Sequence, residues 1–318
     1  ISEGKRYGSL KDSFLAHAQE YGIENIDFLF PEAKNVNNQP DFIKRDDSYV
    51  QKVLRGVHHT PFSRIKSTHA NITADEARAK GYIKGNLKKE EVFTLLKRST
   101  TPTTIYKKQK MDRDDIVDIT DFDVVAYIKA EMRMMLDEEI ARAILVGDGR
   151  STASDDKINE QNIRPIAKDD DLYTIKQTVA VTKDATEDAV AKAFIRTVIK
   201  SRKEYKGSGS PTLFTTEDML TNCLLLEDNN GRIIYDSVDK LATTLRVKEI
   251  VPVEVMEGVT RKADTKTLSL MAILVNLNDY YVGADKGGAI NMFYDFDIDY
   301  NQEKYLIETR ISGALVKP

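Results

Sequence analysis

The chain has 318 residues, a formal net charge of −4, 41% hydrophobic and 31% charged residues, and a single cysteine. This is material for a sizeable globular core, while one Cys excludes an intrachain disulfide framework and a Cys-rich zinc site. No apolar run approaches the ~20 residues that span a bilayer, no signal-peptide pattern opens the chain, and the near-neutral balance gives no prior for a nucleic-acid partner.

Residues 9–21 read as a short helix with Phe14, Leu15 and Ala18 inward, ending at Gly22. A polar, punctuated stretch follows around residues 35–40, so the start of the chain reads as an extended arm. Charge then separates sharply. Residues 1–59 sum to −1, residues 60–113 carry 13 Lys+Arg against 5 Asp+Glu (net +8), and residues 114–318 sum to −11. The ordinary meaning of such a run is a solvated face. The sharper one is a basic arm that docks on acidic surface, on the same chain or on a neighbouring copy. A nucleic-acid patch is a third reading, and it lacks an aromatic stacking ladder. Residues 62–68 and 103–108 alternate as strands. Between them stand Gly81, Gly85, a short helical stretch near residues 90–96, and Pro102. The pattern predicts a long hairpin enclosing polar residues, an excursion of the kind that serves function or a partner.

Next comes the strongest local signal. Thr120 or Asp121 can cap a helix running to about Val146, with Val125, Ile128, Met132, Met135, Leu136, Ile140, Ala143 and Ile144 on one face. Gly147 or Gly149 is a natural C-cap. About 26 residues give a rod of roughly 39 Å. Residues 172–181 read as a strand. Residues 186–205 form an amphipathic helix carrying Val190, Phe194, Ile195, Val198 and Ile199, broken at 207–211, and 212–214 is a short buried strand. Thr215 or Thr216 caps a helix to about Leu226, with Glu217 and Asp218 at its positive end. A turn at 228–231, a short helix at 238–245 and a strand at 247–256 follow. Residues 268–275 are apolar enough for a central strand. Residues 289–300 and 304–316 alternate as two long strands joined near Asn301 and Gln302.

Chemistry is sparse. His17, His58, His59 and His69 are the only histidines, and no carboxylate pattern accompanies them as metal ligands would require; they are expected at the surface or packed. Cys223 sits in an apolar run and reads as a buried structural thiol. Gly147-Asp148-Gly149-Arg150 follows a helix, so it reads as a C-cap turn and not a phosphate loop. Asp112, Asp114, Asp115 and Asp118 lack a calcium loop's spacing. Asp169, Asp170 and Asp171, like Asp295, Asp297 and Asp299, read as loop or solvent-facing strand positions. No catalytic, cofactor or metal constellation emerges, and no enzyme is expected.

Taken in order, the segments resemble a known family. A basic hairpin precedes a run from Asp118 to Val124 that enters the long helix. That helix ends Asp137-Glu138-Glu139-Ile140-Ala141-Arg142-Ala143-Ile144-Leu145-Val146-Gly147-Asp148-Gly149, and the chain closes on Glu308-Thr309-Arg310-Ile311-Ser312-Gly313-Ala314. This resembles the tailed-bacteriophage major capsid proteins of the Hong Kong 97-like fold. The resemblance implies an α+β fold with an N-terminal arm at 1–45 and a peripheral (P) domain at 46–59 and 113–170 that includes a spine helix at 121–147. It implies an E-loop at 60–112, an axial (A) domain at 171–289 and returning P-domain strands at 290–318. The implied function is a structural shell of hexamers and pentamers enclosing double-stranded DNA, built in the bacterial host cytoplasm, with no cofactor and no membrane. Implied partners are copies of the same chain, a portal, a maturation protease and decoration proteins, with packaged DNA nearby. Arg64, Lys66, Lys84, Lys88, Lys89, Lys107 and Lys108 are the inter-subunit contact candidates.

The family also suggests that the Ile1 start is a maturation cut. Some members join subunits by Lys–Asn isopeptide bonds. Lys84, Lys88 and Lys89 with Asn291 and Asn301 are available here, but the expectation is no covalent cross-link. The alternatives are an encapsulin-type compartment enclosing cargo enzymes, an enzyme with a pocket in the α/β region, and a nucleic-acid module on residues 60–113. Gene neighbours, a pocket of convergent titratable groups and steep salt-dependent binding would respectively distinguish them.

Overall fold

The computed structural model describes residues 48–71, 84, 94–113, 124–182, 185–263, 266–285 and 290–316. The arm expected at 1–45, with its short helix, lies outside them. In chain order the elements are helix α1 (Ser48–Gly56) and strands β1 (His58–Thr60), β2 (Lys66–Asn71), β3 (Thr94–Ser99) and β4 (Thr103–Asp112). Helices α2 (Val124–Leu145) and α3 (Glu187–Ser201) follow, then β5 (Thr212–Thr215), α4 (Glu217–Leu224), α5 (Val238–Leu245) and β6 (Ile250–Pro252). The chain closes with β7 (Thr260–Ala263), β8 (Lys266–Ser269), β9 (Ala272–Val275), β10 (Tyr280–Ala284), β11 (Asn291–Asp297) and β12 (Gln302–Leu315).

Strand β12 organises the larger sheet. It pairs antiparallel with β4 from Gln302↔Asp112 to Ile311↔Thr103. It also pairs with β11 over residues 302–308 and with β10 over 311–315. Ile311 faces both Thr103 and Ala284, so β4 lines one edge of β12 while β11 and β10 line the other. Short β1 adds in parallel to β10. Tyr305, Ile307 and Thr309 are buried at alternate positions, as the two-residue period of a strand requires. That face packs against α2 through Met132, Leu136, Ile140 and Ile144 in one core. From Ile311 to Leu315 every residue is buried. Close packing there depends on glycine: a Cβ on Gly313 would sit 2.6 Å from the Tyr280 hydroxyl, and one on Gly283 would sit 2.3 Å from the Phe62 carbonyl oxygen.

Helix α2 spans 22 residues, or roughly 33 Å, inside the 121–147 span expected; residues 121–123 lie outside the description. Gly147 adopts φ +89°, and its N–H donates to the Arg142 carbonyl, closing the helix as a left-handed cap does. Thr186 caps α3 by accepting from Ala189 N, and Thr216 caps α4 by accepting from Met219 N.

The smaller sheet runs β6-β5-β9. It is a shared wall. Leu213 points into a second core with Phe194, Leu220 and Leu241, whereas its neighbour Phe214 joins the core of α2 and β12. Here three expectations fail. Residues 268–275 do not form one central strand, because Leu270 N turns to bond the Val259 carbonyl and Met271 O accepts from Thr215 Oγ1. The result is β8 in a separate two-stranded ribbon with β7, and β9 at a sheet edge. The strand expected at 247–256 shrinks to Ile250–Pro252, after which Glu254–Met256 coils into a 3₁₀ turn. Residues 172–181 form no ladder among the described residues. Side chains hold that segment instead: Thr174 Oγ1 donates to Ile166 O, Lys176 to Asp171, and Gln177 to Glu204.

The basic hairpin also departs from expectation. Strand β2 pairs with β3, from Lys66↔Ser99 to Asn71↔Thr94, and not with β4. Strand β4 takes the longer ladder on β12. Residues 94–96, expected at the end of a helical stretch, belong to β3.

Candidate functional site

Cross-strand partners in an antiparallel pair share a face, so the register of the β2–β3 hairpin sorts its side chains. Lys66 with Ser99 and Thr68 with Lys97 form the outer face, and all four are exposed. Ser67 with Arg98, and His69 with Leu96, form the inner face, and these are buried or half-buried. The hairpin therefore presents cations outward and turns a polar face to the body.

The inner face carries the anchorage. Arg98 is buried, and its Nη2 donates to both Asp169 oxygens at 2.6 and 2.5 Å. The two side chains are 4% and 1% exposed. Arg98 Nη1 donates to the Leu315 carbonyl at 3.0 Å, and the guanidinium lies 4.0 Å from the Tyr173 ring centroid, within cation–π range. Beside it, the Val316 carbonyl accepts from His69 Nε2 at 2.6 Å. Thr100 N donates to Ile65 O, and Ser312 Oγ to Ser63 O. One step behind, buried Tyr280 donates to the Arg164 carbonyl, and burial pushes its phenol well up from the ordinary value.

The sequence-derived candidates separate on the structure. Arg64, Lys66, Lys84 and Lys108 are exposed, and none makes an ion pair among the described residues. Lys88 and Lys89 lie outside the described residues. Lys107 is only half-exposed, opposite Ile307 on the core-facing side of β4. Lys108 stands on the other face, opposite Leu306, which in turn faces Phe293 of β11. Thus Lys107 and Lys108 belong to the large sheet, not to the projecting hairpin. Arg98 is not among the candidates, because the partners that give it a role, Asp169 and Leu315, lie far along the chain. Asp169, expected at a loop or solvent-facing strand position, lies in a loop but is one of the most buried carboxylates described. Its partner lies 71 residues away, and no local pattern signals that pairing.

A second surface adjoins the first. The far edge of β11 pairs with no strand among the described residues. Met292, Phe293 and Tyr294 are exposed on it, and Ile298 and Tyr300 in the following turn are 84% and 72% exposed. Natural sheets cover or charge such edges; an apolar, aromatic one marks a contact site. Asp297 there pairs with Lys304, which holds the Asp297 carboxyl below the ordinary range and the Lys304 ammonium above its own.

Other groups have separate structural partners. His58 stacks on Tyr281 at 4.4 Å, and His59 bonds the Leu54 carbonyl. Cys223 is buried and its thiol is pushed up to about 12 by desolvation. Asp148 is buried and receives Arg150 Nη1 and Ile158 N, which makes the Gly-Asp-Gly segment a braced turn. What the arrangement can do is grip: a cationic hairpin and an apolar sheet edge stand ready for a large protein surface.

A model described as the phage capsid family matches residues 50–318 of this chain. Comparison with curated proteins finds no match. Among solved structures, "Capsid of native GTA particle" aligns with a TM-score of 0.58 at 8% identity, covering 88% of this chain and 90% of that one. A structure from Mycobacterium phage Bobi aligns at 0.54 and 12%, covering 89% and 91%. One from Gordonia phage Cozz aligns at 0.54 and 12%, covering 89% and 88%.

Proposed function

This chain belongs to the phage capsid family, with the α+β Hong Kong 97-like fold, and from that premise we propose how it performs as a major capsid protein. It is a structural, shell-forming protein of the virion. Copies assemble into hexamers and pentamers, and these tile an icosahedral shell around double-stranded DNA. The division is arm 1–45, P-domain 46–59 and 113–170, E-loop 60–112, A-domain 171–289 and returning strands 290–318, with β4 at the end of the E-loop span and β10 at the end of the A-domain span both contributing strands to the β12 sheet. The finer partners of this reading are a portal, a maturation protease, decoration proteins and DNA, with assembly in the host cytoplasm. No observation favours a cargo-enclosing compartment.

The observation that carries the reading is the outward hairpin face of Lys66, Thr68, Lys97 and Ser99, exposed and supported by a ladder of its own. A two-stranded ribbon is only marginally stable alone, and a neighbouring copy supplies what it lacks. Arg64, Lys66, Lys84, Lys88, Lys89 and Lys108 meet acidic surface on that neighbour, and Lys107 contributes through its partly exposed stem. Each exposed ion pair is worth about 0–1 kcal/mol, so apolar contact at residues 292–300 must supply most of the grip.

Sedimentation and electron microscopy of the purified chain test this. Closed shells with five-fold and six-fold clusters are expected, and a chain that stays monomeric at high concentration would overturn the proposal.

A further inference from the structure

The Arg98–Asp169 pair is costly as a stability device. Taking both charges out of water carries a desolvation penalty that their attraction does not reliably repay, and well-packed apolar replacements are often neutral or stabilising. Arg98 Nε is buried without a hydrogen-bond partner among the described residues, which adds to the cost. The location explains the pair better than the energy does. Arg98 reaches three groups on two segments of the body: the carboxylate of Asp169 and the ring of Tyr173 on one, and the carbonyl of Leu315 on the other. Asp169 is itself fixed, accepting from Asp170 N and lying 3.8 Å from Arg164 Nη1. A planar fork held at three points tolerates one orientation, whereas apolar packing would tolerate several.

We propose that Arg98 and Asp169 are positioning residues: a buried latch that fixes the direction in which the basic hairpin leaves the body. Assembly, as proposed above, is the process this direction serves, so the link to shells rests on that reading. The latch itself does not. Breaking it without leaving a bare charge lets the hairpin sample several directions. If about one direction in ten is competent, the apparent affinity between subunits falls about tenfold.

The test uses the dilute, unassembled full chain carrying nitroxide labels at Thr68→Cys and Ala130→Cys, both exposed positions on the hairpin and on α2. Native Cys223 is buried and stays unlabelled. Electron–electron distance measurement should give one narrow distribution for the parent. It should broaden about twofold in R98M/D169L, with R98K in between. Hydrogen exchange in α2 and β12 should be unchanged, which a general loss of stability would not allow. A narrow distribution at the parent distance in R98M/D169L overturns the latch, and so does broadening accompanied by faster exchange throughout the body. Shell yield is read in parallel on the unlabelled parent and the unlabelled R98M/D169L chain, both with Thr68 and Ala130 intact. If the parent forms no shells, the assembly reading fails while the distance measurement still decides the latch. If R98M/D169L assembles as well as the parent despite a broadened distribution, the claim that direction serves assembly is overturned.

Discussion

Strands β2–β3 and strand β4 come from the same basic segment, share an alternating Thr/Lys character, and end in opposite circumstances. Strand β4 finds a ten-residue ladder on β12, and its inner face delivers Ile105 to the main core. The hairpin has a six-residue ladder with no third strand among the described residues. Its inner face delivers Arg98 and His69 to polar partners. Local pattern gave residues 62–68 and 103–108 the same strand character. Partner length decided which became wall and which became arm. The lesson is that the large sheet is held by apolar burial, which tolerates repacking, while the arm is held by a few directional bonds, which do not.

Unlatching the arm crudely should show the largest effect. Arg98→Ala leaves Asp169 buried with only Asp170 N and the more distant Arg164 for partners, and the subunit should lose about 3–5 kcal/mol of unfolding free energy, read from urea denaturation. A loss below about 1 kcal/mol would mean that the pair is solvated in solution. In the wall, Leu136→Ala removes a side chain that is 1% exposed and should cost about 2–5 kcal/mol through lost burial and a cavity. Unlike the arm variant, it should recover much of that loss when combined with a compensating larger neighbour. Outward cations should behave in the opposite way. Lys66→Glu and Lys108→Glu are expected within about 0.5 kcal/mol of the parent in subunit stability, yet should reduce assembly in low salt. Equal assembly kinetics would remove those residues from the interface.

The smallest effect concerns pH. Because Lys304 depresses the Asp297 carboxyl below 3.8, the contribution is present above 3.8 and is lost as pH falls through the lower folded value. The Lys304 ammonium is raised above 10.5, so its contribution is full below 10.5 and is lost as pH rises through the higher folded value. Lys304→Gln should flatten both limbs of a thermal-stability profile. An unchanged acid limb would show that the pair is not formed.

Much of the scaffold was legible. The long helix announced itself through Ile128, Met132, Leu136 and Ile140 at helical spacing, and its end through Gly147. The apolar spacing from Val190 to Ile199 marked α3, Thr215 or Thr216 offered the cap that Thr216 supplies to α4, and the alternation around Tyr305 and Ile307 marked β12. What depends on remote partners was not legible. Residues 172–181 had strand character but no ladder to join. The 268–275 stretch was split by bonds to Val259 and Thr215. Arg64, Lys66, Lys84 and Lys108 are exposed, Lys107 is turned partly inward by the register of β4, and Arg98 is not legible locally because its partners Asp169 and Leu315 lie far along the chain.

The central claim is that the basic segment of one copy lies on the acidic body of another. Shells assembled from equal parts of isotopically light and heavy subunits, treated with a zero-length carboxylate–amine cross-linker and analysed by mass spectrometry, test it directly. The account predicts light–heavy peptides joining Lys66, Lys84 or Lys108 to carboxylates within residues 114–318. Cross-links from these lysines found only within single chains would contradict it.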